Sequence, residues 1–184
     1  MNDTKNRVCP VERAGGLDNR FRRWLQNPFR ILKPFIEEGM TVLDVGCGPG
    51  FFTIDMAKLV GASGRVIAAD LQTGMLDKVR KKFHGTMLES RIRLHQCEAD
   101  IIGIIERVDF ILLFYMVHEV PSKQSLFQEI TSILKPGGKI LIVEPSFHVS
   151  QSDFDEMLLT ARNAGLSDNK GPHLLFSRTV VLTH

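Results

Sequence analysis

The chain has 184 residues, of which 43% are apolar and 24% charged, and its net charge is +2 at neutral pH. This composition predicts one globular domain with a well-filled core, and the small charge does not favour binding to nucleic acid or to an anionic membrane. No apolar run reaches the roughly 18 residues that a bilayer-spanning helix needs, and the first ten residues lack the apolar stretch of a signal peptide. The cysteines Cys9, Cys47 and Cys97 fit neither a disulfide framework nor a CxxC metal site, so we expect a cytoplasmic protein without a metal centre.

The N-terminal part of the chain differs in character from the rest. Residues 20–33 contain five basic side chains and no acidic one, interleaved with large apolar side chains, and Pro28 and Pro34 limit helices there to short pieces. Such a stretch is more typical of an amphipathic lid with solvated arginines than of a surface that binds RNA or an anionic acceptor. We therefore predict a lid segment, residues 1–38, and a core domain, residues 39–184.

From residue 40 onward, short apolar runs alternate with amphipathic segments. The runs predict strands, and apolar positions three and four residues apart predict helices. The predicted strands are 41–45, 65–70, 92–95, 108–117 and 139–143, and the predicted helices are 52–60, 73–83, 122–134 and 152–163. Ser122 is the predicted cap of the third helix, and Ser152 with Asp155 has the spacing of a capping box at the start of the fourth.

Two stretches leave the local structure open. Residues 101–105, IIGII, fit either a strand or a short buried turn of helix, and residues 174–182 predict a late strand or hairpin over 174–176 and 179–182. The alternation as a whole predicts an α/β fold with a Rossmann-like open, mostly parallel sheet, helices on both faces and an antiparallel C-terminal strand. Ligands of such sheets bind at the carboxyl ends of the strands.

The most informative stretch is TVLDVGCGPG, residues 41–50. A strand carrying Asp44 runs into a glycine loop and a helix, and the next strand ends on Asp70, which is the layout of a nucleotide-binding βαβ unit. The GxGxxG fingerprint of dinucleotide sites is not matched, because the third glycine comes one residue early and Phe51 occupies the place of a small residue. The loop therefore favours an adenosine-containing cofactor without a pyrophosphate over NAD or FAD.

On these residues the chain resembles the class I S-adenosylmethionine-dependent methyltransferases. The matching segments, in order, are VLDVGCGPGFFT (42–53), AAD (68–70), EAD (98–100), VDFILLFYMVHEV (108–120) and LKPGGKILIVEP (134–145). The last segment is most similar to the small-molecule branch of the quinone-biosynthesis type, methyltransferase type 11. The resemblance implies S-adenosylmethionine as cosubstrate, S-adenosylhomocysteine as product and a small-molecule methyl acceptor.

The resemblance also implies a role for each matched position. The amino-acid part of the cofactor would be surrounded by Asp44, Gly46, Cys47, Gly48 and Gly50. The ribose and adenine would be bound by Asp70, Leu71, Met75, Ala99 and Asp100. Phe114 and Tyr115 would line the methyl-donor side, where Tyr115 is, together with His118, a candidate catalytic residue. Purely structural alternatives are a helix cap for Asp70, a core position for Met75 and a surface acid for Asp100.

Methyl transfer from a sulfonium needs little chemistry from the protein, because the methyl group is already activated. Positioning and exclusion of water can dominate, and a base is needed only where the acceptor must lose a proton. His118, at the end of the fourth strand near Tyr115, is the first candidate for that base, and Glu119 is the second. A solvated or helix-capping role is the alternative for His118.

Other classes of function stay open at this point. A nucleic-acid methyltransferase has support only from the basic N-terminal stretch, and YMVHEV after the fourth strand lacks the amino-methylating motif of that class. A non-catalytic protein that binds S-adenosylmethionine would share every motif listed above. Phe51 disfavours a dehydrogenase. The acceptor atom and the oligomeric state are not indicated by the residues.

Overall fold

The computed structural model describes residues 26–184 together with Val11 and Arg23. Within these residues the strands are Thr41–Val45 (β1), Arg65–Asp70 (β2), Ile92–Gln96 (β3), Val108–Phe114 (β4), Leu134–Pro145 (β5), Ser167–Lys170 (β6) and Ser177–Thr183 (β7). The α-helices are Pro28–Leu32 (α1), Thr53–Leu59 (α2), Thr73–Phe83 (α3), Lys123–Ile133 (α4) and Gln151–Asn163 (α5). Short 3₁₀ turns span Glu89–Arg91 and Val117–Glu119. No helix in this part of the chain combines the length and the apolar composition needed to cross a membrane.

The strands form one sheet in the order β3-β2-β1-β4-β5-β7-β6. Among β1 to β5, every pair of neighbouring strands is parallel. The strand β7 is antiparallel to both of its neighbours, β5 and β6. The predicted open, mostly parallel sheet with an antiparallel C-terminal strand is therefore confirmed. The strand order reverses between β1 and β4, and this switch point is where a crevice for ligands opens in folds of this kind.

Both faces of the sheet are covered, as the long apolar run of β4 requires. Ile111 and Leu113 belong to the core cluster on the side of α4 and α5, whereas Phe110 and Leu112 belong to the cluster on the side of α1, α2 and α3. All four side chains are fully buried. Burial of each such side chain contributes about 1.5–3 kcal/mol relative to exposure, so β4 anchors both layers.

The described end of the predicted lid segment packs onto this core. Asn27 caps α1 by accepting a hydrogen bond from the backbone N–H of Arg30 at 3.1 Å, and Pro28 occupies the first helical turn, where its missing N–H costs nothing. Leu32 is fully buried, and the Phe35 ring stacks on Phe110 with 5.6 Å between centroids. Trp24, Leu25 and most of the other residues before 26 lie outside the described residues, so the division of the chain at residue 38 stays a prediction.

The start of α5 differs from the prediction. The helix is capped by Ser150, whose hydroxyl accepts from the backbone N–H of Asp153 at 3.1 Å, while the Asp153 carboxylate accepts from the backbone N–H of Ser150 at 3.2 Å. The capping box therefore lies two residues before the predicted pair, Ser152 and Asp155. Both pairs have the same spacing, and burial of Val149 in the core places the entry to the helix at Ser150.

The C-terminal hairpin also differs from the prediction in its first strand. It is formed by β6, Ser167–Lys170, and β7, and residues 174–176 lie in the connection between them. The sequence of β6, SDNK, has no apolar alternation because this strand lies at the edge of the sheet with little burial. The predicted strand 179–182 is confirmed within β7.

Two apolar runs are shorter or less regular than their composition suggests. The predicted strand 108–117 ends at Phe114, because Tyr115 adopts a left-handed backbone conformation with φ +59°. Residues 101–105 form neither a strand nor a helix. The backbone N–H groups of Ile102 and Gly103 instead donate to the two carboxylate oxygens of Glu129, at 2.9 and 2.6 Å. A side chain on α4 thus replaces the backbone partner that a regular element would supply.

Candidate active site

A cavity of about 250 Å³ lies at the carboxyl ends of the parallel strands, beside the switch point between β1 and β4. It is lined by residues of the four segments that follow β1, β2, β3 and β4, together with Leu126 and Glu129 of α4. Ten of the residues predicted to bind the cofactor line it: Asp44, Gly46, Cys47, Gly48, Asp70, Leu71, Met75, Ala99, Asp100 and Phe114. The tertiary structure therefore brings four separate sequence segments to one place.

Gly50, which was also predicted to bind the cofactor, does not line the cavity. Its φ is +82°, and a Cβ at this position would lie 3.2 Å from both methyl groups of Val79 on α3. The glycine therefore lets the loop pack closely against α3, and a direct contact between Gly50 and the cofactor stays a prediction.

The glycine loop presents its backbone to the cavity. The N–H groups of Gly46 and Cys47 both donate to the carbonyl of Ala69, at 2.8 and 3.0 Å, and fix the loop against the end of β2. Gly48 has φ +52°, and a Cβ there would meet no atom within 4 Å. A ligand can therefore approach the main chain at Gly48 without steric hindrance.

Asp70 is held in place as an acceptor. The residue is 7% exposed, and its two carboxylate oxygens accept hydrogen bonds from the backbone N–H groups of Gly48 at 2.8 Å and of Gln72 at 2.9 Å. Burial raises the pKa of Asp70, and these two hydrogen bonds oppose that rise. Each oxygen keeps a further lone pair, so the carboxylate can still accept from two adjacent hydroxyls, as a ribose presents. The N-cap position of α3 belongs to Gln72 rather than to Asp70.

Asp44 is more deeply buried, at 3% exposure, and accepts a hydrogen bond from the hydroxyl of Thr53 at 2.6 Å. Burial raises the pKa of Asp44 to about 7, and the nearby charge of Asp70 adds to the rise, while the hydrogen bond from Thr53 lowers it. A cationic ligand group beside Asp44 would favour its ionised form. The residues present thus fit an adenosine ligand that carries an ammonium group.

Both described cysteines lie at the cavity as neutral thiols. Burial raises the pKa of Cys47 well above its ordinary value and that of Cys97 to about 12. A thiol is a nucleophile only when ionised, so neither is poised to attack at neutral pH. Cys9 lies outside the described residues.

The two predicted catalytic residues have different surroundings. Tyr115 lines the cavity, and its hydroxyl is hydrogen-bonded to Nε2 of Gln26 at 2.8 Å and to Oγ of Ser177 at 2.6 Å. His118 does not line the cavity, and its Nδ1 lies 2.5 Å from Oε2 of Glu144. Desolvation lowers the pKa of His118, but the hydrogen bond and charge of Glu144 raise it by more, so the net shift is upward.

Glu144 is a residue that the sequence reasoning missed. It is buried at 1% exposure at the end of β5, and its other oxygen accepts the backbone N–H of Val117 at 2.9 Å. The run ILIVE could have identified it, because β2 ends on a carboxylate in the same way. Glu119 lines the cavity, so the second-ranked base candidate is the one that faces it.

Comparison with known proteins agrees with this geometry. The family model described as a methyltransferase domain matches residues 36–170. The demethylmenaquinone methyltransferase of Lactobacillus johnsonii is 36% identical over 124 residues, which cover 67% of this chain and 50% of the relative. The demethylmenaquinone methyltransferase of Bacillus cereus is 28% identical over 127 residues, which cover 69% of this chain and 53% of the relative. The chain thus spans about half the length of the curated relatives it matches.

The solved structures agree as well. A SAM-dependent methyltransferase from Aquifex aeolicus is similar with a TM-score of 0.82 and 26% identity, over 95% of this chain and 97% of that one. A TehB-like methyltransferase from Corynebacterium glutamicum shares the fold, with a TM-score of 0.71 and 18% identity over 95% and 99% of the two chains. The chain belongs to the family of methyltransferase domains that use S-adenosylmethionine as their cosubstrate.

Proposed function

We propose that the protein transfers the methyl group of S-adenosylmethionine to a small aromatic acceptor of the hydroquinone or phenol class. The observation that carries this proposal is a cavity whose lining combines the carboxylates Asp44 and Asp70 with three apolar side chains, Phe114 at the end of β4 and Met116 and Val120 beyond it. The polar part suits the cofactor, and the apolar part suits a flat, apolar acceptor. The likeness to demethylmenaquinone methyltransferases supports the same acceptor class.

Within this proposal each side chain has a defined task. The Asp70 carboxylate binds the ribose hydroxyls, and Asp44 pairs with the ammonium of the amino-acid part. Leu71 and Met75 pack against the adenine, and Asp100 accepts from its amino group. The bound cosubstrate supplies the activated methyl group. The protein then contributes orientation of the acceptor and exclusion of water.

The proposed lid segment would provide that exclusion. Arg23 pairs with Asp55 at 2.5 Å, and its guanidinium lies 5.5 Å from the ring centroid of Phe51, which lines the cavity. Gln26 donates to the hydroxyl of Tyr115, another lining residue. These contacts support a lid, residues 1–38, that reaches the rim of the cavity.

The cytoplasmic location stays a prediction.

Calorimetry with S-adenosylmethionine and S-adenosylhomocysteine tests the cofactor site. We expect both to bind, and Asp70→Ala to weaken binding at least about tenfold because two charge-assisted hydrogen bonds are lost. Asp77→Ala is the matched control, since this aspartate lies on the exposed side of α3, 3.6 Å from Arg80. Failure of both ligands to bind at millimolar concentration would refute the proposal.

Turnover tests the acceptor class. The protein is incubated without oxygen with S-adenosylmethionine and 1,4-naphthohydroquinone, and methylated product is detected by mass spectrometry. We expect one methylated product for each S-adenosylhomocysteine formed. Tight cofactor binding without turnover of this hydroquinone or of simple phenols would instead favour a non-catalytic protein or another acceptor class.

A further inference from the structure

Six carboxylate side chains line the cavity: Asp44, Asp70, Glu98, Asp100, Glu119 and Glu129. Asp44 accepts from Thr53, Asp70 accepts two backbone N–H groups, and Glu129 holds the backbone of residues 102–103. These three carboxylates therefore already have partners within the protein, and the proposed function assigns Asp44 and Asp70 to the cofactor.

Glu119 differs from the other carboxylates at the cavity. Glu98 and Asp100 are exposed to solvent, whereas Glu119 is half-buried. Within the part of the chain that the structure describes, no hydrogen bond or ion pair engages the Glu119 carboxylate, although its backbone N–H donates to Met116 at 3.0 Å. A half-buried carboxylate that none of the described residues binds, at the wall of a cavity, is available to a ligand.

The turn that carries Glu119 is fixed by contacts with Glu144 at the end of β5. Glu144 accepts from the backbone N–H of Val117 with one oxygen and lies 2.5 Å from Nδ1 of His118 with the other. Val117 is fully buried beneath the turn. Because successive residues of a tight turn point in different directions, anchoring of residues 117 and 118 to Glu144 leaves Glu119 directed at the cavity.

We propose that Glu119 is the general base that takes the acceptor's proton, and that His118 and Glu144 position it. The inference rests on the proposed function. A hydroxyl of the acceptor gives its proton to the Glu119 carboxylate, and the electron pair of that oxygen, or of a ring carbon conjugated with it, forms the bond to the methyl carbon. Where a ring carbon forms this bond, the hydrogen on that carbon then leaves to solvent as a proton, and the carbonyl oxygen takes up a proton to restore the aromatic hydroxyl. The bond from that carbon to sulfur breaks, and its electron pair stays on sulfur. The neutralised Glu119 then returns its proton to solvent.

The charges around Glu119 suit this role. Burial raises the pKa of Glu119 to about 7, the charges of Glu144 and Asp70 add to the rise, and the charge of His118 lowers it. A general base works best when its pKa lies near the operating pH, since it must be ionised and still hold a proton well.

Carbon-13 NMR of protein labelled at the glutamate side-chain carboxyl tests the ionisation without turnover. Aspartates such as Asp44 are silent in this experiment. We expect one glutamate signal with a midpoint near pH 7, lost in Glu119→Gln and retained in Glu156→Gln, a control on the exposed side of α5. His118→Asn should move the midpoint upward, because removing a positive neighbour favours the neutral carboxyl. A Glu119 midpoint below about 5 would overturn the proposal.

The closing experiment compares turnover of 1,4-naphthohydroquinone across pH. For Glu119→Gln we expect kcat to fall by about 10²–10⁴-fold with the rising limb near pH 7 abolished, while the Kd of S-adenosylmethionine changes less than about threefold. Glu119→Asp should recover part of kcat, and His118→Asn should lower kcat but leave KM unchanged. If the wild type turns over the acceptor and Glu119→Gln does so equally well, only the base assignment fails. If the wild type binds the cofactor without turnover, the proposed acceptor fails and the base assignment with it.

Discussion

Asp44 should make the protein less stable as the pH rises, because its carboxyl group is buried at the end of β1. Burial raises its pKa from 3.8 to about 7, even though Thr53 donates to it at 2.6 Å. In the unfolded chain the group ionises near pH 4, whereas in the folded protein it stays protonated until about pH 7. The folded state therefore holds this proton more tightly, and the stabilisation is present at low pH and lost as the pH rises through 7.

The size of the effect follows from the pKa. A difference of one unit between the pKa values of the folded and unfolded states corresponds to about 1.4 kcal/mol. The difference between 3.8 and about 7 therefore corresponds to on the order of 4 kcal/mol. In Asp44→Asn the group no longer titrates, and the asparagine oxygen can still accept from Thr53. The free energy of unfolding of the wild type should therefore fall relative to that of the variant by this amount between about pH 4 and pH 8.

Urea denaturation of both proteins at several pH values measures the difference. The pKa values of His118 and Glu119 are also raised, but both groups titrate in either protein, so their contributions cancel in the comparison. Asp77→Asn, at an exposed position of α3, is the control. Its free energy of unfolding should run parallel to that of the wild type across the same pH range, because both proteins keep Asp44. Parallel stability curves for the wild type and Asp44→Asn would refute the reasoning. Binding of S-adenosylmethionine should raise the stability of the wild type most at high pH, because its ammonium group stabilises the ionised carboxylate.

Two further changes test local features of the fold. Gly50→Ala should destabilise the protein by about 1–3 kcal/mol, because the left-handed backbone is strained for alanine and its Cβ would press on Val79. Gly137→Ala has a similar φ, +77°, but open space at its Cβ, so thermal unfolding should show a smaller loss. Ser150→Ala should cost about 1 kcal/mol in urea denaturation because the cap of α5 is lost. Ser152→Ala should cost much less, and an equal loss would contradict the position of the cap.

Most regular elements could be predicted from the periodicity of apolar residues, because burial on one face or on both leaves a local pattern. The long helices α3 and α4 and the strands β1, β2 and β3 agree with that pattern to within a residue. The exceptions arise where tertiary contacts replace local ones. Residues 101–105 have the composition of a buried element, but Glu129 on α4 satisfies their amides, and this partner is distant in sequence. Likewise, β6 carries no apolar pattern because it lies at the edge of the sheet.

The glycine loop and Asp70 predicted a nucleotide-binding unit, because the backbone contacts of a nucleotide depend on glycines and acids at set distances after strands. The resemblance of the five ordered segments, LKPGG among them, to class I methyltransferases then implied the activity and the cosubstrate. Which residue faces the cavity depends on the direction of side chains in the turn after β4, and only the tertiary structure decides it. In the sequence His118 and Glu119 are adjacent, and His118 was the first candidate for the base and Glu119 the second. Glu144, twenty-six residues beyond His118, holds the histidine away from the cavity and leaves Glu119 facing it.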